Sequence, residues 1–127
     1  MIKKEKYTVD YLLQKVSKTI LWKCVSSPDG LQEWFADTVD NTGDDFVFSW
    51  NGQVEHAERL TSKEGVLIRF RWMHEPADTF FEFSIQALEL TGDVSLTITD
   101  FADEGDVEDA IRLWNTQIDE LRRVTGM

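Results

Sequence analysis

Apolar and polar residues alternate through the middle of the chain, and turn-forming clusters cut the alternation into short lengths. Phe46, Phe48 and Trp50 share one strand face; Ile68, Phe70 and Trp72 share another, with Arg69 and Arg71 turned the opposite way. Phe81, Phe83, Ile85 and Ala87 alternate with Glu82, Ser84 and Gln86, and Val94, Leu96 and Ile98 alternate with Ser95, Thr97 and Thr99. The turns between these runs are Asn41-Thr42-Gly43-Asp44, Asn51-Gly52, Lys63-Glu64-Gly65, His74-Glu75-Pro76-Ala77-Asp78 and Thr91-Gly92-Asp93. Asn51-Gly52 carries the strongest signal, because a two-residue type I′ hairpin needs φ > 0 at both central positions. Segment 53–62 alternates less cleanly and reads as an edge or bulged strand. The pattern predicts an antiparallel meander of about six strands with one aromatic-rich face.

Helical spacing flanks this meander. Ser17 has the chemistry of an N-cap for a helix to about Val25. Pro28 suits the first turn of a second, short helix, in which Leu31, Trp34 and Phe35 stand at i, i+3 and i+4. From about 104 to 124, Val107, Ala110, Ile111, Trp114, Ile118 and Leu121 form one stripe. Asp103, Glu104, Asp106, Glu108 and Asp109 precede or open that helix and Arg122 and Arg123 close it, the polarity that the helix dipole favours. Tyr7, Val9, Tyr11 and Leu13 alternate ahead of the first helix and read as a first strand. The predicted order is β-α-α-β6-α, an α+β helix-grip fold in which a curved antiparallel sheet wraps a long C-terminal helix. Residues 1–127 are expected to form a single domain, without repeat or linker.

Composition narrows the function classes. An apolar share of 42% with 12% aromatics excludes a disordered chain. One cysteine excludes a disulfide framework and a cysteine-rich zinc site. No stretch approaches the roughly 20 apolar residues of a membrane helix, and the charged start, Met-Ile-Lys-Lys-Glu-Lys, does not read as a signal peptide, so a cytoplasmic protein is expected. With 13 basic against 24 acidic residues the net charge is −11, which argues against binding nucleic acid or anionic membranes and tolerates basic partners or cations.

The segment Ser26-Ser27-Pro28-Asp29-Gly30-Leu31-Gln32-Glu33-Trp34-Phe35 resembles the "t-x-p-e-g-l-x-x-W-f" stretch of the START-like (SRPBCC) superfamily, in particular its small domains related to the activator of heat-shock chaperone ATPase. Phe46-Val47-Phe48-Ser49-Trp50, Ile68-Arg69-Phe70-Arg71-Trp72 and Leu113-Trp114 follow where that resemblance expects them. Leu90-Thr91-Gly92-Asp93 with Thr99-Asp100-Phe101 is similar to a short START-like group found mostly in Bacteroidetes. The resemblance implies the helix-grip fold. It is weak for function, because this superfold hosts lipid carriers, receptors, cyclases and chaperone regulators.

Trp34, Phe35, Trp50, Phe70, Trp72, Phe83 and Trp114 are expected to converge between the concave sheet face and the last helix. In related folds that space is a ligand cavity, and these residues are its candidate lining. Rings burying about 150–250 Å² each could equally fill the space, although a buried indole N–H needs an acceptor that a dry core lacks. Catalysis has little support: His56 and His74 stand apart, Cys24 lies on a helix with no base nearby, and Asp100 reads as ending a strand and as a helix-entry group, in an acidic run, 100–109, that lacks calcium-loop spacing. Arg69 and Arg71 should pair across strands with carboxylates such as Glu82. Phe80 and Phe101 are candidates for a dimer contact or for single exposed apolar residues.

The expectation is therefore a non-catalytic domain, with no metal and no cofactor, binding a small hydrophobic or amphipathic ligand between sheet and C-terminal helix. The alternative is a co-chaperone-like protein-interaction module with a filled core. The chain is expected to be a monomer or weak homodimer.

Overall fold

Two serines set the helical start of the computed structural model, which describes residues 3–14 and 16–126. After strand β1 (Lys4–Leu13), the Ser17 hydroxyl accepts the Ile20 N–H at 3.0 Å and opens α1 (Lys18–Ser26). Ser27 ends that helix and caps the next, α2 (Pro28–Trp34), by accepting the Gly30 N–H at 3.0 Å. The meander follows as β2 (Thr38–Thr42), β3 (Asp45–Trp50), β4 (Gln53–Lys63), β5 (Leu67–Trp72), β6 (Phe81–Ala87) and β7 (Val94–Asp103). Helix α3 (Val107–Thr125) closes the chain.

All strand pairings are antiparallel, in the order β1-β7-β6-β5-β4-β3-β2. The sheet is curved, and the helix-grip order expected from the pattern is the observed one. Asn51 and Gly52 have φ of 51° and 82°, as the type I′ hairpin requires. Segment 53–62 is indeed bulged, between Arg59 and Thr61, but it is no edge: β4 lies between β3 and β5. Its alternation looked untidy because Gln53 and Glu55 stand opposite Trp50 and Phe48, putting polar residues in the inward register of a central strand.

The stripe of α3 packs on the concave face, where Trp114, Ile118 and Leu121 are buried. Glu108 and Asp109 occupy its first turn, Arg122 and Arg123 its last, and Gly126 ends it at φ 79°. The acidic stretch before it is not all a solvated turn, since β7 runs on to Asp103 and pairs there with Lys4 of β1.

Gly30 sets how closely α1 and α2 approach. A Cβ at this position would stand 2.0 Å from the Lys23 carbonyl oxygen and 2.8 Å from the Cys24 Cα, both backbone atoms that have little room to yield. Gly30→Ala is therefore expected to force the helices apart and to cost roughly 1–3 kcal/mol, towards the upper end of overpacking effects. Urea unfolding of the two proteins measures this; unchanged stability would show that the helix pair tolerates the displacement.

Candidate functional site

The sheet's hydrogen-bond ladder stops early on one side. Strand β6 begins at Phe81, opposite Phe70 of β5, while β5 continues to Trp72 and β7 continues from Thr99 to Asp103. Beyond Phe81, β5 and β7 therefore have no strand between them, and loop 73–80 spans the gap. The notch is an open cleft of about 370 Å³. Trp50 and Trp72 provide its apolar surface, Phe80 and Phe101 a second aromatic pair, and Lys4, Gln53, Glu55, His74, Glu75, Thr79 and Asp100 its polar groups.

The loop over the notch is tied down. The Met73 N–H donates to the His56 carbonyl at 2.9 Å, and the Thr79 hydroxyl donates to the Pro76 carbonyl at 2.7 Å. Lys4 reaches across from β1 to Glu75 at 3.0 Å and to Asp103 at 2.8 Å, and these bonds hold its ammonium above the ordinary lysine range. His74 lies 3.1 Å from Glu55 and 3.6 Å from Glu75. Phe80 and Phe101 meet edge to face at 5.2 Å, and the Arg69 guanidinium lies 3.9 Å from the Phe80 ring while also bonding Glu82. Each phenylalanine thus has a local partner within the protomer.

The aromatics singled out in the sequence do converge, and most of them pack ring on ring. Phe35 stacks on Trp114 at 5.8 Å and meets Phe83 edge to face at 5.9 Å; Trp34 meets Phe83 at 5.7 Å. Phe70 stacks on Phe81 at 5.1 Å. Trp34, Phe35, Phe70, Phe83 and Trp114 are buried, whereas Trp50 and Trp72 are half-buried and open onto the notch. The anticipated shortage of acceptors for indole N–H groups does not arise at three of them. Trp34 donates to the Cys24 carbonyl at 2.8 Å, Trp50 to the Phe35 carbonyl at 2.7 Å, and Trp114 to both the Tyr7 hydroxyl and Asp100 at 3.0 Å.

Asp100 does lie on a strand, but β7 continues past it to Asp103, and it is no helix-entry group: it is an inward residue of β7, opposite Tyr7 of β1. Its Oδ2 accepts from the Tyr7 hydroxyl at 3.1 Å and from Trp114 of α3 at 3.0 Å; Oδ1 accepts the Phe101 N–H at 2.8 Å. One carboxylate thus ties β1, β7 and α3 together. Burial pushes its pKa above the ordinary aspartate value of 3.8, against the opposing pull of these donors, and burial beside Asp100 also pushes the Tyr7 phenol up. The register 94, 96, 98, 100, 102 contained the signal, because it places Asp100 on the same face as Ile98. Together with Glu55 and Gln53 it adds polar groups to a concave face whose expected lining residues were all aromatic.

The other candidates fall elsewhere. Cys24 is buried, and burial pushes its thiol pKa up, away from reactivity. His56 is exposed on β4. No group of three or more histidine, cysteine or acidic side chains suited to a metal ion occurs among the described residues. No helix among them is long and apolar enough to cross a membrane.

A raised native value for Asp100 means that the folded protein holds this proton more tightly than the unfolded chain does. Stability from this group is therefore present below the ordinary value of 3.8 and is lost as pH rises through the native one. Asp100→Asn removes the titration. As pH is lowered from neutral towards the ordinary aspartate range, the wild type is expected to gain stability relative to the variant, read by urea unfolding at stepped pH. A difference that stayed constant or moved the other way would contradict a raised native value.

Comparison with known proteins places this geometry in a family. The family model for the START-like superfamily domain matches residues 1–127. The solution NMR structure of a Bacteroides fragilis protein is 38% identical, covers 96% of this chain and 91% of its own, and superposes with a TM-score of 0.69. The solution structure of the Aha1 dimer from Colwellia psychrerythraea is 13% identical over 95% of this chain and 96% of its own, with a TM-score of 0.79. DynU16, from the dynemicin biosynthetic locus, is 16% identical over 93% of this chain and 46% of its own, at 0.74. The last two likenesses concern the fold alone. No curated protein sequence matches. The family model spans the chain from end to end, and the chain belongs to the START-like superfamily.

Proposed function

We propose that the protein is a non-catalytic binding module whose ligand, a small amphipathic molecule, lies in the notch on Trp50 and Trp72. The observation that carries this reading is the cleft of about 370 Å³ with two half-buried indoles and a polar rim. Ligand sites are commonly concavities of this kind, apolar in lining with a few placed polar groups. Of the aromatics expected to line a cavity, Trp50 and Trp72 keep that role; Trp34, Phe35, Phe70, Phe83 and Trp114 act as the packed wall behind them. A non-catalytic role fits the polar groups, since Asp100 already accepts three hydrogen bonds and His74 lies between two carboxylates. A cytoplasmic setting accompanies this reading.

The alternative of a protein-interaction module draws on the ring packing between sheet and helix. Native mass spectrometry of gently purified protein separates the two. A ligand in the notch is expected to appear as a reproducible added mass that is lost in Trp72→Ala, with at least about a tenfold loss of affinity for the extracted molecule, as for a buried aromatic anchor. A bare mass for the wild type, or an adduct unaffected by Trp72→Ala, would overturn the notch and favour the interaction module.

A further inference from the structure

We propose that the notch selects an organic cation: a molecule with a compact apolar or aromatic body and one ammonium group, the body on Trp50 and Trp72 and the charge towards Asp100. This rests on the notch being a ligand site and adds the chemical class of its occupant.

The charges around the notch are unevenly paired. Glu75 has Lys4 as a partner, and Glu55 and Glu75 both border His74. Lys4 is itself shared with Asp103. Asp100 also lines the cleft, but among the described residues no cationic side chain lies within ion-pair distance of it; its partners are the neutral donors of Tyr7, Trp114 and Phe101. A partly buried carboxylate without a counter-charge carries a desolvation cost, and Glu75 adds a like charge nearby. A cation seated in the notch would relieve that cost.

The walls decide what kind of cation. Indole faces attract ammonium groups through the ring quadrupole and accept apolar bodies, whereas a bare metal ion would make no use of Trp50 and Trp72. A metal ion would also need several convergent oxygen ligands, and no such cluster occurs among the described residues. The chain's net charge of −11 disfavours anions and draws cations towards the surface.

The test uses the intact protein and three probes that share a phenyl body and differ in charge: benzyltrimethylammonium, benzyl alcohol and benzoate, followed by tryptophan fluorescence and calorimetry. Benzyltrimethylammonium is expected to bind about tenfold or more tighter than benzyl alcohol, with benzoate weakest, and the preference should shrink as ionic strength rises. Asp100→Asn, checked for an unchanged circular dichroism spectrum, is expected to bring the first two affinities together. Equal affinities in the wild type, or a cation preference that survives Asp100→Asn in folded protein, would overturn the cation assignment and leave the notch standing as a site. Binding of none of the three would count against the notch itself, and this inference would fall with it. The wild-type comparison decides the matter even if the variant fails to fold.

Discussion

Phe35 stands at the end of α2, and the sheet and α3 close on it. Its ring meets Trp34, Phe48, Trp50, Phe81, Phe83 and Trp114 at centroid distances of 5.4–5.9 Å. Its carbonyl, freed where the helix ends, accepts from the Trp50 indole at 2.7 Å and from Gln117 of α3 at 3.2 Å. The ring and the carbonyl therefore fix the same thing twice: the position of α2 against β3 and α3. Each aromatic pair adds about 0.5–1.5 kcal/mol beyond area burial, and such pairs share atoms, so the set acts as a unit rather than as a sum. Earlier in the same helix, Gly30 sets the close approach of α2 to α1.

The ring cluster has a cost in space. Side chains interdigitate closely on the inner face, and the notch opens at one end of it, where β6 has not yet begun. There the lining changes from apolar to mixed. Asp100 sits at that boundary and serves both sides. Through Tyr7 and Trp114 it fastens α3 to the sheet, and it also leaves a carboxylate facing the notch. Its desolvation works against folding while its three donors offset part of that cost. The arrangement departs locally from the apolar consistency of the remaining core, a departure typical of functional positions.

Much of the fold was legible because alternation, turn chemistry and helix caps agreed with one another along the chain. Asn51-Gly52, Ser17 and Pro28 each required one backbone geometry and adopted it. What was not legible came from register across strands. Whether β4 is an edge depends on its partners, not on its own residues, and its inward Gln53 and Glu55 disguised a central strand. Asp100 was misread for a related reason. It is the first carboxylate of the acidic run 100–109, so it looked like part of a solvated turn, while its neighbours in space are Tyr7 and Trp114, far away along the chain. The aromatic convergence could be read from face assignments alone. Which rings pack and which stay open could not, because that depends on where β6 starts relative to β5 and β7.

The position of the notch also bears on how it would bind. Its walls come from β1, β3, β4, β5 and β7, whose spacing the antiparallel ladders set, and its one loop is held by Thr79, Met73 and the Lys4 ion pairs. Partly exposed ion pairs of this kind contribute little stability one at a time, so their effect here is chiefly positional. A cleft built mostly from strands needs little ordering when occupied, and a small ligand then loses less of its interaction energy to conformational entropy. The packed interior and the open end are thus two consequences of one arrangement: rings fill the space that strands enclose, and polar groups collect where one strand starts late.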